Sequence, residues 1–229
     1  MLCSDRTHKL WTLRRSGARP ILREGLVAVP NELIEQYLAD IYQATAAIDR
    51  AQLSAIADTM MHTWASGATI YTLGNGGSAS LASHIACDLG KNTSPDLGRG
   101  PDVSGARRLR VVGLADNSAL LTALGNDIDF ADIYVEQLKA VLRVEDTVLA
   151  ISGSGVSPNV LRAMRYARTI GATTIAFTSV RSTAHEMLAL ADHALLAPVT
   201  IMEQIEDLHV IYNHVLATVI RDRIARQVA

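Results

Sequence analysis

Apolar positions along the chain repeat in two patterns, one typical of helices and one typical of buried strands. From Asn31 onward, leucines and isoleucines recur every three or four residues, and a second such stretch follows Asp49 and ends near Trp64. This spacing predicts two leading helices, with Asp49 as the N-cap of the second. Five short runs, rich in β-branched residues and bounded by turn-forming residues, are predicted strands over 68–73, 109–114, 147–151, 173–178 and 193–197.

The strands alternate with helical stretches, and this alternation indicates the fold class. Helices are predicted over 79–90, 132–142, 158–170, 183–190 and 201–226. Strands separated by helices form parallel sheets that are covered on both faces. The sequence therefore predicts an α/β fold with a five-stranded parallel sheet, preceded by two N-terminal helices. Residues 92–108 form the one long connection, and we expect a lid or a surface excursion there.

Composition and charge exclude several classes of function. The 229 residues are 49% hydrophobic and 19% charged, which is typical of a globular protein with a sizeable core. With 21 basic and 23 acidic residues, the net charge of -2 provides no general attraction to nucleic acid or to an anionic membrane. We therefore expect no nucleic-acid partner and no membrane partner. No apolar run reaches the roughly 20 residues of a spanning helix.

The cysteines and the first residues indicate the cellular setting. Cys3 and Cys87 cannot form a disulfide framework and match no zinc-finger spacing, so a cytoplasmic, reducing setting is expected. We expect Cys87 to pack within its helix. Residues 1–30 are basic and lack the apolar segment of a signal peptide, which predicts a flexible arm ahead of a single domain over 31–229. A solvated tail or an upstream start codon is favoured over a nucleic-acid arm.

Two glycine-rich loops follow the first and third strands, at the sheet edge where ligands bind in open α/β folds. The first, Gly-Asn-Gly-Gly-Ser over 74–78, lacks the lysine of a Walker loop and the spacing of a dinucleotide fingerprint, so no nucleotide cofactor is expected. The second, Ser-Gly-Ser-Gly-Val-Ser-Pro over 152–158, places three hydroxyls before a helix N-terminus, which suits a phosphate group. Serine and glycine also make ordinary turns, but two such loops at equivalent strand ends favour phosphate.

Polar residues on two helices are candidates for further chemistry. His84 and Asp88 are four residues apart and share a helix face, although this pair is also common in helices without function. Glu206, His209 and His214 form a second polar group within an otherwise apolar terminal helix. Imidazoles and carboxylates are costly to bury, so a functional role is favoured for some of them.

The loops and the terminal helix together resemble sugar isomerase (SIS) domains, and their order is similar to that of phosphoheptose isomerases. The similarity runs from about 31 to 226, and its most specific segments are 74–88, 121–127, 151–159 and 205–214. The resemblance implies a flavodoxin-like SIS domain and an aldose–ketose isomerase that interconverts sedoheptulose 7-phosphate and D-glycero-D-manno-heptose 7-phosphate. It also implies zinc, and a homotetramer with sites between subunits.

The resemblance also implies roles for residues. Asp88 and His214 fall where the family has its base and its acid, and His84, Asp88, Glu206 and His214 would be the metal ligands. Such an isomerisation needs both a base and an acid, which this pair can supply. The residues expected to bind the sugar or its phosphate are Asn75, Gly76, Ser78, Asp116, Asn117, Ser152, Ser154, Ser157 and Glu206. For Asp116 and Asn117, which follow the second strand, an Asx turn explains the sequence equally well.

Three positions depart from the family pattern. Asp88 stands where glutamate is usual, Glu206 where glutamine is usual, and Gly153 where the serine loop usually has threonine. The shorter acid favours an altered substrate, such as another heptose or hexose phosphate. Glu206 and His214 are about 12 Å apart along a straight helix. Glu206 therefore reaches a shared metal only if the helix bends or a neighbouring subunit contributes, and otherwise it contacts sugar.

A different class of function remains as the alternative. The chain is also similar to non-catalytic SIS scaffolds or sugar-phosphate-binding regulators of the DnaA-initiator-associating type, in which the base and acid positions are typically lost. Retention of Asp88 and His214 favours the enzyme. A sensor fused to a DNA-binding domain is disfavoured, because the first 30 residues leave no room for a helix-turn-helix unit.

Overall fold

The computed structural model describes residues 31–97, 105 and 107–228. The expected flexible arm over 1–30, and residues 98–104 and 106 of the expected lid over 92–108, lie outside the described residues. The strands are β1 (Thr69–Gly74), β2 (Arg110–Gly113), β3 (Thr147–Ile151), β4 (Thr173–Ser179) and β5 (His193–Ala197). The α-helices are α1 (Asn31–Ala46), α2 (Arg50–Ser66), α3 (Gly77–Cys87), α4 (Ser118–Asp127), α5 (Val135–Val141), α6 (Pro158–Ile170), α7 (His185–Ala189) and α8 (Met202–Gln227).

The five strands form one parallel sheet in the order β2-β1-β3-β4-β5. This confirms the predicted sheet and its flavodoxin-like order. In this order the chain reverses its direction of winding between β1 and β3, so their carboxyl ends open onto a crevice that ligands can enter. The two glycine-rich loops therefore lie side by side at this crevice.

The core has two parts, one on each face of the sheet. Every residue of β1 and β3 is buried, which explains why these strands read as continuous apolar runs. Leu149 and Phe177 face α2, α3 and α8, whereas Val148 and Ala176 face the side covered by α5, α6 and α7. The helices on the first side carry the polar residues singled out above.

Local signals explain some of the helix boundaries. Asp49 accepts hydrogen bonds from the amides of Ala51 and Gln52, which confirms it as the cap of α2. The helix predicted over 79–90 starts earlier, at Gly77, and from Asp88 to Asn92 it widens into a π-helical turn. The prediction that Cys87 packs inside is wrong, because its side chain is exposed.

The N-terminal helix α1 lies against α8 with one side and leaves another side open. The Tyr37 hydroxyl donates to Asp207 of α8 at 2.6 Å. Four large apolar side chains of α1 are nevertheless more than half exposed: Leu33, Ile34, Leu38 and Tyr42. Within the described part of the chain, no helix is both long and apolar enough to cross a membrane.

Candidate active site

The two loops at the crevice are joined by a pair of asparagines. Asn75, after β1, and Asn159, in the first turn of α6, each donate a side-chain amide hydrogen to the other's carbonyl oxygen at 2.8 Å. Asn159 is 1% exposed. The predicted ligand Asn75 thus uses one edge of its amide within the protein. Sequence reasoning missed Asn159, because a polar residue at the start of a helix is ordinarily read as a capping residue.

The serine loop brings its three hydroxyls together. Ser152 Oγ lies 3.4 Å from Ser154 Oγ and 3.3 Å from Ser157 Oγ, and it accepts the backbone amide hydrogen of Gly155 at 3.1 Å. Ser157 makes no side-chain capping bond to α6, which begins at Pro158. The three hydroxyls therefore form a group of possible donors at the N-terminus of α6, where the helix dipole favours an anion.

The glycine loop makes room for an acidic side chain from α8. A Cβ atom at Gly77 would lie 2.6 Å from Oε1 of Glu206, so only glycine allows this close approach. Gly76 has a φ of 56°, a backbone conformation that favours glycine. Ser78, the next predicted ligand, is buried in the first turn of α3. Glu206 thus lies at the start of α3, next to predicted substrate ligands.

A cavity of about 290 Å³ runs between α3 and α8. It is bordered by Ser78 near the start of α3, by His84 near its end, and by Glu206 on α8. This cavity connects the glycine loop with the polar residues on the last turn of α3. Ser154 and Ser157 are not among its lining residues.

Asp88 is the centre of a cluster of titratable side chains. Its Oδ2 atom lies 3.1 Å from Nε2 of His84 and 3.7 Å from Nε2 of His214. The two imidazole rings meet edge to face with their centroids 5.2 Å apart. The carboxylate side chain is 12% exposed, whereas the side chains of His84 and His214 are 43% and 56% exposed. A largely buried carboxylate thus faces two accessible imidazoles, as acid–base chemistry requires.

Two asparagines that sequence reasoning missed hold this carboxylate. Asn92, at the end of the π-helical turn, donates to Asp88 Oδ1 at 3.1 Å, and Asn213 donates to Oδ2 at 2.8 Å. Asn213 precedes His214 within an apolar stretch of α8, and this placement is the one signal that the sequence offers. The π-helical turn packs against α8 and has no sequence signature.

The donor atoms of this cluster suit a divalent metal ion. One atom each from His84, Asp88 and His214 lies within 4.8 Å of the other two. Ligands bound at the usual zinc distances in a tetrahedron lie about 3.3 Å apart, close to the separations of 3.1 and 3.7 Å. Three protein ligands also leave a fourth position open, as in catalytic zinc sites. Glu206 is not part of this group and instead lines the cavity beside the start of α3.

The remaining candidates lie apart from the cluster. His209 is fully buried and donates from Nε2 to the carbonyl of Thr178 at 2.8 Å. Burial lowers the pKa of His209 to about 4, so its ring is neutral at pH 7. Asn117 accepts the amide hydrogen of Leu120 and caps α4, which agrees with the turn alternative. Asp116 is exposed and accepts a hydrogen bond from the Ser83 hydroxyl.

Comparison with known proteins agrees with this arrangement. Residues 35–179, more than half of the chain, match the SIS domain family. The phosphoheptose isomerase of Solidesulfovibrio magneticus is 36% identical over 191 residues, which cover 82% of this chain and 88% of that protein. The lincomycin biosynthesis protein LmbN of Streptomyces lincolnensis is 33% identical over 82% of this chain and 68% of its own length.

The solved structures include a similar fold. The phosphoheptose isomerase GmhA of Neisseria gonorrhoeae superimposes with a TM-score of 0.73 and 26% identity, over 84% of this chain and 98% of that one. The match extends beyond the SIS segment itself to most of the described chain. On the evidence of its sequence, its sheet order and these relatives, the chain belongs to the SIS domain family and, within it, to the phosphoheptose isomerases.

Proposed function

We propose that this protein is an aldose–ketose isomerase that interconverts sedoheptulose 7-phosphate and D-glycero-D-manno-heptose 7-phosphate. The observation that carries the proposal is the Asp88 carboxylate held 3.1 Å from His84 and 3.7 Å from His214. Retention of this acid–base group argues against the non-catalytic scaffold. The relatives named phosphoheptose isomerase support the same activity.

The reaction moves one proton between neighbouring carbons. Asp88 takes the proton from C1 of the ketose, the C1–C2 enediol forms, and the same carboxylic acid returns the proton to C2 to give the aldose. In the conversion of ketose to aldose, His214 donates a proton to the carbonyl oxygen on C2 and removes a proton from the hydroxyl oxygen on C1. His84, Asp88 and His214 would hold a zinc ion, which polarises these oxygens when bound.

The serine loop is proposed to bind the phosphate. The hydroxyls of Ser152, Ser154 and Ser157 lie together, and the N-terminus of α6 adds the positive end of its dipole. Each hydroxyl can donate to a phosphate oxygen, and such charge-assisted bonds are stronger than neutral ones. Ser78 and Glu206 border the cavity along which the sugar chain would lie.

We propose a homotetramer in which the substrate contacts more than one subunit. The exposed apolar side chains of α1 would be covered by another copy. The glycine loop and Asp88 are 11 residues apart along α3, or about 16 Å, which is longer than an extended seven-carbon sugar. A neighbouring copy that places its serine loop nearer to Asp88 would bring a bound sugar phosphate within reach of this carboxylate.

Two further proposals concern the cellular location of the protein and the identity of its substrate. The exposed thiol of Cys87 is compatible with a reducing compartment, which supports a cytoplasmic location. A different sugar phosphate is the second candidate substrate, because Asp88 is one methylene shorter than the glutamate usual in the family. The similarity to a lincomycin biosynthesis protein supports testing substrates beyond heptose phosphates.

The chemistry is tested by proton exchange. Purified protein is incubated in heavy water with ketose and aldose phosphates, and deuterium at C1 and C2 is followed by NMR. Asp88→Asn is expected to lower turnover about 10²- to 10⁴-fold. The control Asp58→Asn removes a surface ion pair with Arg223 and should leave turnover unchanged. Full turnover by Asp88→Asn, or no exchange by the parent protein on any substrate, would contradict the proposal.

The shared site is tested by mixing variants. Asp88→Asn and the double variant Ser154→Ala/Ser157→Ala are each expected to be weakly active. If one subunit supplies the carboxylate and another the serines, mixed assemblies contain intact sites and their activity exceeds the sum of the separate activities. Mixtures with only additive activity would place the whole site within one chain.

A further inference from the structure

The Asp88 carboxylate is held by two asparagines from different parts of the chain. Asn92 is four residues away and binds Oδ1, whereas Asn213 lies on α8, 125 residues away in sequence, and binds Oδ2. Asn213 is 1% exposed, and its bond of 2.8 Å is the shorter of the two. The carboxylate is therefore fixed through both oxygens, and its plane cannot rotate without breaking a hydrogen bond.

The bond from Asn213 falls on the oxygen that also faces the imidazoles. A carboxylate oxygen has two lone-pair directions. On Oδ2, Asn213 occupies one of them, and His84 and His214 approach the same atom at 3.1 and 3.7 Å. The asparagine therefore fixes the carboxylate oxygen that faces both imidazoles.

Burial of the Asn213 amide costs free energy, because one of its polar atoms has no partner. Its Oδ1 atom is buried and finds no hydrogen-bond partner among the described residues. Reversing the amide would place this oxygen against the Asp88 carboxylate, so the orientation is set by the bond to Asp88. A buried amide with an unpaired oxygen is less favourable than an apolar side chain of the same shape. The hydrogen bond that Asn213 donates to Asp88, and not the packing of its side chain, therefore explains why an amide stands at this position.

We propose that Asn213 is a positioning residue of the isomerisation, which orients Asp88 Oδ2 towards the substrate proton and the metal. The proposal rests on the proposed function for its kinetic consequence, but the orientation also governs metal affinity. Outer partners of a metal ligand typically contribute 10- to 100-fold in affinity or activity. Loss of the Asn213 donor is therefore expected to affect turnover and metal binding without affecting phosphate binding.

The test compares two variants that lack a donor. Asn213→Leu and Asn213→Met fill similar volumes, and agreement between them excludes an effect of packing. For each, kcat is expected to fall 10- to 100-fold with KM within twofold of the parent, and the Kd for Co²⁺, read by visible absorption, to rise by a similar factor. Gln204→Met is the matched control, because Gln204 is also a buried amide on α8 that donates to a carboxylate, that of Asp40.

A double variant separates positioning from general damage. In an Asp88→Asn background, Asn213→Leu should cause no further fall in kcat, whereas a structural defect would lower it again. The proposal is overturned if both single variants keep kcat and the Co²⁺ Kd within twofold of the parent, or if the fall persists in the Asp88→Asn background. If the parent turns over no sugar phosphate, the proposed function fails, and the Co²⁺ affinities alone decide the role of Asn213.

Discussion

Burial of a neutral imidazole makes the stability of this protein sensitive to acid. His209 is fully buried, and its Nε2–H is bound to the carbonyl of Thr178. Desolvation lowers the pKa of His209 to about 4 in the folded protein, from an ordinary value of 6.5. Because the unfolded chain takes up a proton between these two values and the folded protein does not, stability is full above pH 6.5 and is lost as the pH falls towards 4.

The size of this effect follows from the two pKa values. Each unit below the unfolded pKa lowers the free energy of unfolding by about 1.4 kcal/mol until the folded pKa is reached. Between pH 7 and pH 5 the contribution of His209 is therefore a loss of about 2 kcal/mol. This is a substantial fraction of the total stability of an ordinary domain.

The assay is urea unfolding at pH 7 and pH 5, at one fixed protomer concentration, because association also contributes to stability. His209→Gln keeps a side-chain donor for Thr178 but does not titrate. Other groups titrate alike in both proteins, so the difference in pH dependence isolates His209. We expect the parent to lose about 2 kcal/mol more than the variant. Equal losses would show that His209 is not held neutral by burial.

The remaining predictions concern the site. Ser154→Ala and Ser157→Ala should each raise KM about 10-fold or more, since each removes a charge-assisted hydrogen bond of about 1.5–3 kcal/mol; unchanged constants for both would exclude the loop. Gly77→Ala should raise KM several-fold by displacing the Glu206 carboxylate, and Gly90→Ala, where a Cβ has space, should not. A strong chelator should abolish turnover and Zn²⁺ should restore it; resistance to the chelator would indicate metal-free acid–base catalysis.

The sheet could be predicted from sequence because its signals are local. Apolar runs of five or six residues ending in glycine or serine identified β1 and β3, and Asp49 identified the start of α2. The parallel sheet followed from the alternation of strands and helices, whereas its flavodoxin-like order followed from the resemblance to SIS domains. The apolar runs and the helix cap depend on residues that are neighbours in sequence, so the sequence predicts them.

The contacts that shape the site are not local. Asn75 and Asn159 are 84 residues apart, and Asp88 and Asn213 are 125 apart. Neither pair has a spacing rule, because each is created by packing of separate elements. From the sequence alone, Glu206 could be either a metal ligand or a sugar contact. Its position depends on the packing of α8 against α3, which places it at the start of α3 and away from the cluster.

The bond between Asp88 and Asn213 also has a consequence for folding while the chain is being synthesised. α8 is the last of the described elements along the chain, so a ribosome completes α3 and the sheet before it synthesises His214 and its neighbour. Until α8 docks, Asp88 lacks the hydrogen bond from Asn213, and the apolar face that α8 covers stays open to water. Contacts between distant residues form slowly and leave such surfaces prone to aggregation. The nascent chain is therefore exposed to misassembly in the interval before α8 emerges and docks.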